Sequence, residues 1–255
     1  MRYQSTTGLT VDQLDEVVGR VIELIRGGGR PAGMPSILDV ETQIRMVVMM
    51  VRQNMTQTVA ADWHGVSQPT VSRSYRCVMP LLDQVLCVHE PDISSVIANR
   101  VPLVDGTDVP TGNRKDADEN YSGKRHRQGL NIQVMASESG ALLAVSAVAP
   151  GCRHDSRAFA ASGWADLLAG HDWIADSAYV GTNAITPKKR TKNHHLTNHE
   201  KEINRSISAR RSAVERCIAH LKNWKILATG YRGRLDELPN IIRIVTRLEF
   251  YRLGW

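Results

Sequence analysis

The spacing of apolar residues changes near Asn99, and this change constrains the fold more than any other feature of the chain. Before Asn99, apolar side chains recur every three or four residues, as they do on one face of a helix. From Arg100 onward, short apolar runs alternate with turn residues and with two longer helical stretches. The pattern predicts an all-helical domain over residues 1–98, followed by an α/β domain over residues 99–255.

The N-terminal part carries clear helix signals. Thr10-Val11-Asp12-Gln13 matches a capping box, and Gly27-Gly28-Gly29 ends the apolar periodicity that follows it. A second helix is predicted from about Asp39 to Gln53, and a helical linker from Val78 to Ile97.

Residues 56–78 have the spacing of a helix-turn-helix. Ala61 allows close helix approach, Gly65 can form the tight turn, and Val71 can pack back into the core. Ser67 is predicted to cap the second helix, which has a proline in its first turn. The residues predicted to face outward and to bind DNA are Gln68, Thr70, Ser72 and Arg73. The alternative is a plain three-helix packing module.

The second part predicts a mixed sheet with helices packed on it. The expected order is a strand over Val101–Val104, a half-buried strand over Leu130–Val134, a continuous strand over Ala141–Ala149, a helix over Ser156–Leu168, a strand over Trp173–Ala175 and a final helix over Lys201–Trp224. The polar Asn131 and Gln133 alternate with apolar residues in the second of these strands, which predicts one solvent-facing side.

Three carboxylates stand at informative positions in this layout. Asp105 and Asp176 each follow a predicted strand, where α/β sheets usually build their sites. Glu215 lies on the final helix, at the edge of the apolar face and on one stripe with Arg211 and Lys222. Each alone is compatible with a turn, a helix cap or a solvated residue, but together they predict a site. Such carboxylates can hold two Mg²⁺ or Mn²⁺ ions, roughly 3.5–4 Å apart, at a phosphodiester.

The charge is distributed unevenly. Residues 181–255 hold 16 of the 32 Lys and Arg but 6 of the 26 Asp and Glu, a net charge of +10, whereas residues 1–180 carry −4. A basic surface beside a carboxylate site is typical of nucleic-acid binding. A membrane-surface segment is disfavoured because the tail lacks an aromatic-faced amphipathic helix. No apolar run of roughly 20 residues and no secretory leader is found, so the expected compartment is the cytoplasm, at the nucleoid.

Cysteine and histidine give little indication of a soft-metal site. The four cysteines show no C-x-x-C spacing, which excludes a zinc ribbon and predicts reduced thiols. His194, His195 and His199 cluster in a polar stretch that we interpret as a solvated, DNA-facing loop rather than a metal site.

Five motifs together resemble one known family, the DDE transposases of the Harbinger-like superfamily, which includes many bacterial insertion-sequence transposases. The motifs are VDGTDVP (104–110), YSGKRHRQGLNIQV (121–134), PGCRHDSRAF (150–159), IADSAYVG (174–181) and RSAVERCIAHLK (211–222). They occur in order across about residues 100–250. The preceding helix-turn-helix also fits the family.

The resemblance implies a ribonuclease-H-like fold, with Asp105, Asp176 and Glu215 as catalytic residues and metal ligands. It further implies that Asp155 is a metal ligand or supports one, and that Arg211 and Lys222 contact DNA or transition-state charge. The chain departs from many relatives at Ser208, where they carry Tyr. This departure affects one DNA or water contact and not the triad.

Further DNA contacts are expected from Lys124 and Arg127 in the second motif. A mobile basic loop over residues 181–198, with Lys188, Lys189, Arg190 and Lys192, is expected to grip the transposon end. The alternative is a loop that only increases solubility.

The predicted function is transposition: metal-dependent cleavage at the element's ends, then strand transfer into target DNA by at least a dimer. One alternative is a catalytically idle repressor that retains DNA binding. Another is a metal-dependent nuclease that cuts without joining.

Overall fold

The computed structural model describes residues 3–115, 117–191 and 195–255, and the chain forms two compact units. The first unit contains Met1–Glu90 and Lys222–Trp255, and the second contains Pro91–Leu221. The C-terminal segment therefore groups with the N-terminal helices, which differs from the predicted division at residue 98. Lys192 and His194, which were predicted to lie in a DNA-facing loop, are outside the described residues.

The first unit is helical. Its helices are α1 (Tyr3–Thr6), α2 (Val11–Gly28), α3 (Val40–Gln53), α4 (Gln57–His64), α5 (Gln68–Leu86) and α10 (Leu238–Leu253). The capping box of α2 is confirmed: the Gln13 amide donates to Thr10 Oγ1 (3.2 Å), and the Thr10 amide donates to Gln13 Oε1 (3.1 Å). Asp39 caps α3 by accepting from the Thr42 amide at 2.7 Å.

Helices α4 and α5 follow one another through a tight turn at Gly65, whose φ is +63°. Ala61 and Val71 are buried, as predicted. Ser67 occupies the N-cap position of α5, but its hydroxyl bonds to that of Thr70 and gives no cap hydrogen bond, so the predicted capping is wrong. The linker predicted over 78–97 consists of the end of α5, a short turn over Cys87–His89 and α6 (Ile93–Ile97).

The second unit is built on a sheet whose central strand is β3. Its strands are β1 (Leu103–Pro110), β2 (Tyr121–Ser122), β3 (Arg127–Ala136), β4 (Leu142–Val145) and β5 (Ala149–Pro150). Strands β1, β2, β4 and β5 all pair antiparallel with β3. Its helices are α6, α7 (Asp155–Ala161), α8 (Trp164–Leu167) and α9 (Asn198–Leu221). The unit is a mixed α/β arrangement, and its ribonuclease-H-like character stays a prediction.

Several predicted elements differ in extent. Strand β1 continues to Pro110, so Asp105 lies within it rather than at its end. The continuous strand expected over Ala141–Ala149 is divided into β4 and β5, and the helix expected over Ser156–Leu168 is interrupted at Gly163, whose φ is +78°. The final helix begins and ends three residues earlier than predicted.

Strand β3 is buried on both faces. Asn131 is 9% exposed and Gln133 is fully buried, so the predicted solvent-facing side is wrong. Helix α9 buries Ile207, Val214 and Leu221 as predicted, whereas Ile203 is 39% exposed. Within the described ranges, no helix is long and apolar enough to cross a membrane.

Candidate active site

Asp105 and Asp176 are brought together by a parallel bridge. The Val104 amide donates to the Ile174 carbonyl, and the Ile174 amide donates to the Pro102 carbonyl, both at 2.9 Å. Leu103 and Ile174 are therefore paired, and the two aspartates each lie two residues further along. The predicted strand over 173–175 is present as this bridge, and the predicted proximity of the two carboxylates follows from it.

Asp155 is the first residue of α7, and its side chain lies beside the backbone of β1 next to Asp105. A Cβ built on Gly106 would lie 2.3 Å from Asp155 Oδ1, so the carboxylate packs directly against the backbone next to Asp105. Only glycine at position 106 permits this approach. The structure thus groups Asp155 with Asp105 and Asp176.

A buried hydrogen-bond chain positions Asp155. The Tyr179 hydroxyl donates to Gln133 Oε1, Gln133 Nε2 donates to Asn131 Oδ1 (2.8 Å), and Asn131 Nδ2 donates to Asp155 Oδ1 (2.8 Å). Tyr179 and Gln133 are completely buried. Sequence reasoning missed this chain because it assigned Asn131 and Gln133 to a solvated face. The signal for it was a pair of amides in an otherwise apolar strand.

The surroundings of Asp105 alter its electrostatics. The pKa of Asp105 is raised to about 6: burial raises it most, the Arg211 guanidinium opposes the rise, and the charges of Asp176 and Asp155 add to it. Burial, followed by the same three carboxylates, also raises the pKa of the Tyr179 phenol. The site therefore concentrates negative charge in a place with little water.

Arg211 stands between Asp105 and Glu215. Its Nη2 lies 3.6 Å from Asp105 Oδ2 and 3.9 Å from Glu215 Oε1. The Glu215 side chain is 60% exposed, so it lies at the margin of the aspartate group. The Arg211 Nε atom is buried, and no described group accepts a hydrogen bond from it.

In the part of the chain that the structure describes, no group of three or more His, Cys, Asp or Glu is spaced to hold a metal ion. The oxygen donors of the three aspartates nevertheless have the chemistry that hard divalent cations require. His195 and His199 are both exposed, but His199 lies in the first turn of α9 rather than in the predicted loop. The four cysteines form no disulfide.

A basic pocket of about 800 Å³ adjoins the aspartates, with Asp155 and Gly106 in its wall. Three predicted DNA-binding residues line it, namely Lys124, Arg127 and Lys189. Arg125, Arg153 and Tyr121 also line the pocket, although sequence reasoning did not single them out. Arg125 belongs to the same basic run as Lys124 and Arg127, which was the available signal.

The basic loop after Gly181 is anchored in its described part, unlike the mobile loop that was predicted. Ile185 exchanges backbone hydrogen bonds with Trp173 and Ala175. The Lys188 backbone exchanges two hydrogen bonds with the Asn204 side chain, and its ammonium lies 3.0 Å from Glu200 Oε1. Lys189 and Arg190 are exposed.

The predicted recognition helix presents most of its expected residues. Gln68 and Arg73 are exposed and Ser72 is partly exposed, but Thr70 is buried at 7% exposure. Thr70 therefore faces the helical core, where its hydroxyl bonds to Ser67, and the expectation that it reads DNA is wrong. Lys222 directly follows α9 and groups with the first unit.

Comparison with known proteins places these residues in a family context. A family model described as DDE superfamily endonuclease matches residues 104–249, more than half of the chain. A Streptomyces albus G protein, described as a transposase for insertion sequence element IS112, is 29% identical over 214 residues, covering 82% of this chain and 80% of its own. A Microchaete diplosiphon protein, described as a transposase for element IS702, is 27% identical over 218 residues, covering 80% and 77%. No solved structure matches significantly.

Proposed function

This chain belongs to the DDE superfamily endonucleases, and we propose that it is a bacterial insertion-sequence transposase, of the Harbinger-like group, that cuts and joins DNA. The observation that carries the proposal is the convergence of Asp105, Asp155 and Asp176, from three separate segments, beside Arg211 and a basic pocket. Both relatives are described as transposases, which supports the same activity.

The aspartates fit a divalent cation such as Mg²⁺ or Mn²⁺. Burial, and to a smaller degree the charges of Asp176 and Asp155, raise the pKa of Asp105, which indicates a site short of positive charge. Asp105, Asp155 and Asp176 would hold the ions, with Glu215 as a ligand from α9. The proposed site would hold two ions. They would neutralise negative charge at the phosphate and lower the pKa of the attacking water or hydroxyl.

Arg211 is suited to hold the phosphate. Its guanidinium lies between the carboxylates of Asp105 and Glu215, at 3.6 Å and 3.9 Å. The planar guanidinium suits phosphate geometry. We assign Arg211 to binding the phosphate and stabilising the charge that develops on it.

Two displacements at phosphorus account for the reaction. In the first, a water oxygen bonds to the phosphorus at the element's end, and the bond to the 3′ oxygen of the element breaks. In the second, the freed 3′-hydroxyl bonds to a target phosphorus, and the target's own 3′ oxygen leaves. Each step forms one P–O bond and breaks one, so no further energy source is required.

The helical unit would recognise the element's ends. Helix α5 exposes Gln68 and Arg73, with Ser72 partly exposed, at the position of a recognition helix. Lys188, Lys189, Arg190 and Lys222 would add phosphate contacts. Since two ends must be held together, the active species is at least a dimer. A ribonuclease-H-like fold for the second unit is part of this proposal.

A cleavage assay tests the proposal. Asp105→Asn and Asp176→Asn are compared with Asp166→Asn, which alters an exposed carboxylate on α8, on duplex element ends with Mg²⁺. We expect the first two to lose cleavage by about a hundredfold or more, and the third to resemble the unmodified protein. Full cleavage by Asp105→Asn would overturn the assignment. Binding of ends without any cleavage by the unmodified protein would indicate a repressor.

A further inference from the structure

The basic pocket has the charge of an anion site and the size of a small-molecule site. Among its described lining residues, five are Lys or Arg (Lys124, Arg125, Arg127, Arg153 and Lys189), and two are carboxylates (Asp108 and Asp155). Its volume of about 800 Å³ is in the range of pockets that enclose one small organic molecule. The fitting occupant is therefore an anion of moderate size rather than a lone ion.

Asp108 orients two of these cations. Its Oδ2 accepts hydrogen bonds from Arg127 Nε (3.0 Å) and Nη2 (2.6 Å), and its Oδ1 lies 3.6 Å from Arg125 Nε. The Asp108 side chain is only 10% exposed, whereas both arginines are almost half exposed. Each guanidinium has more N–H donors than one carboxylate can accept. The pair is thus held in place with donors left for a phosphate.

Tyr121 supplies an apolar surface beside these cations. The residue is 46% exposed and lines the pocket. No aromatic ring in the described ranges stacks on it. An exposed aromatic ring flanked by cations is a stacking platform for an unpaired base.

Close backbone packing fixes the segment that carries Tyr121. A Cβ on Gly151 would lie 2.4 Å from the carbonyl oxygens of Asn120 and Gly129. Gly151 therefore lets the chain immediately before Tyr121 lie against β3. The stacking surface is built into the sheet and does not depend on a free loop.

We propose that the basic pocket binds one unpaired nucleotide of the DNA strand being processed. Its base stacks on Tyr121, and its phosphate lies on Arg125, Arg127 and Lys124. Asp155 lies in the pocket wall and also packs against Gly106. The adjacent phosphodiester is thereby directed to the aspartates. A paired base could not reach the ring, so the pocket selects unpaired over paired DNA. This proposal rests on the proposed function.

Cys152 provides a direct reporter of occupancy. It is an exposed thiol that lines the pocket, whereas Cys87 is an exposed thiol in the helical unit. Alkylation of each by N-ethylmaleimide is followed by mass spectrometry, without metal, in the presence of a short single-stranded oligodeoxynucleotide or its duplex. We expect the single strand to slow alkylation at Cys152 about tenfold and to leave Cys87 unchanged, and the duplex to protect Cys152 much less.

Tyr121 variants test the stacking step. Affinity for the fluorescently labelled single strand is measured by anisotropy for Tyr121→Ala and Tyr121→Phe. We expect the alanine variant to bind about tenfold more weakly and the phenylalanine variant within about twofold of the unmodified protein, because stacking requires the ring and not the hydroxyl. Circular dichroism checks that both variants are folded.

The outcomes separate this proposal from the enzymatic one. Unprotected Cys152, equal protection by duplex, or unchanged affinity of Tyr121→Ala would each overturn the nucleotide pocket, even if the protein cuts DNA. Protection of Cys152 and weakened binding by Tyr121→Ala would support the pocket, even if no cleavage were detected, because both measurements are made without metal.

Discussion

Gly106 is the residue on which the approach of Asp155 to Asp105 depends. In Gly106→Ala the new methyl group would occupy the position of the Asp155 carboxylate, with 2.3 Å between Cβ and Oδ1. We expect cleavage to fall by about a hundredfold while the circular dichroism spectrum is retained, because a small displacement of a catalytic group is costly.

Gly19→Ala is the matched control for that substitution. Gly19 lies exposed in α2, and an added Cβ would meet nothing within 4 Å. The control is expected to cleave normally and to be slightly more stable, since alanine favours helices. Normal cleavage by Gly106→Ala would contradict the assigned role of Asp155.

The raised pKa of Asp105 predicts a pH-dependent effect on stability. The folded carboxyl titrates at about 6 rather than at the ordinary 3.8. The protonated form therefore favours the folded state below about pH 4, and this contribution is lost as the pH rises through about 6. Asp105→Asn stays neutral, so its metal-free form should gain stability relative to the unmodified protein, on the order of 3 kcal/mol at neutral pH.

Urea unfolding with a chelator present, at about pH 4 and about pH 7.5, measures this difference. Asp166→Asn serves as the exposed control. We expect its free energy of unfolding to differ from that of the unmodified protein by the same amount at both pH values. If the effect of Asp105→Asn on the free energy of unfolding does not change with pH, the pKa of Asp105 is not raised in the folded protein.

At the level of elements, the hydrogen-bond chain connects β3 to the turn that contains Tyr179. Tyr179→Phe leaves the buried Gln133 Oε1 without a donor, and Gln133→Leu leaves Tyr179 and Asn131 without their partner. Each is expected to lower the free energy of unfolding by about 1–3 kcal/mol. The double variant should lose less than the sum, because the two groups act as one unit. Additive losses in urea unfolding would exclude a coupled chain.

Helix boundaries in the first unit followed from local signals. The Thr10 capping box, the Asp39 cap and the turn at Gly65 each depend on residues close together in sequence, so their geometry could be inferred directly. The predicted capping by Ser67 was wrong although it also depends on a local signal, because the Ser67 hydroxyl bonds to that of Thr70, three residues along the chain, instead of to a backbone amide.

The sheet was less predictable because strand burial depends on what covers each face. Asn131 and Gln133 are buried by the elements packed on β3, whereas the alternation of polar and apolar residues predicted a solvent-facing side. The proximity of Asp105 and Asp176 was nevertheless predicted, since their positions after short apolar runs were informative. The placement of Arg211 between Asp105 and Glu215 required the structure, because it depends on how α9 meets the sheet.

For the whole molecule, the concentration of cations predicts salt-dependent DNA binding. Lys124 and Lys189 line the basic pocket. In the double variant Lys124→Gln, Lys189→Gln, the negative slope of log affinity against log salt concentration should become shallower by about 2. Arg26→Gln, which alters an exposed cation on α2, provides a comparison outside the pocket. An unchanged slope in the double variant would remove both lysines from the DNA interface.

A joining assay distinguishes a transposase from a nuclease and tests the role of the aspartates in the same experiment. Pre-cut element ends with free 3′-hydroxyls are incubated with supercoiled target DNA, Mg²⁺ and either the unmodified protein or Asp176→Asn, and joined products are sequenced. We expect joined ends for the unmodified protein and none for Asp176→Asn. Cleavage without any joined product would indicate a nuclease, and joining by Asp176→Asn would contradict the aspartate centre itself.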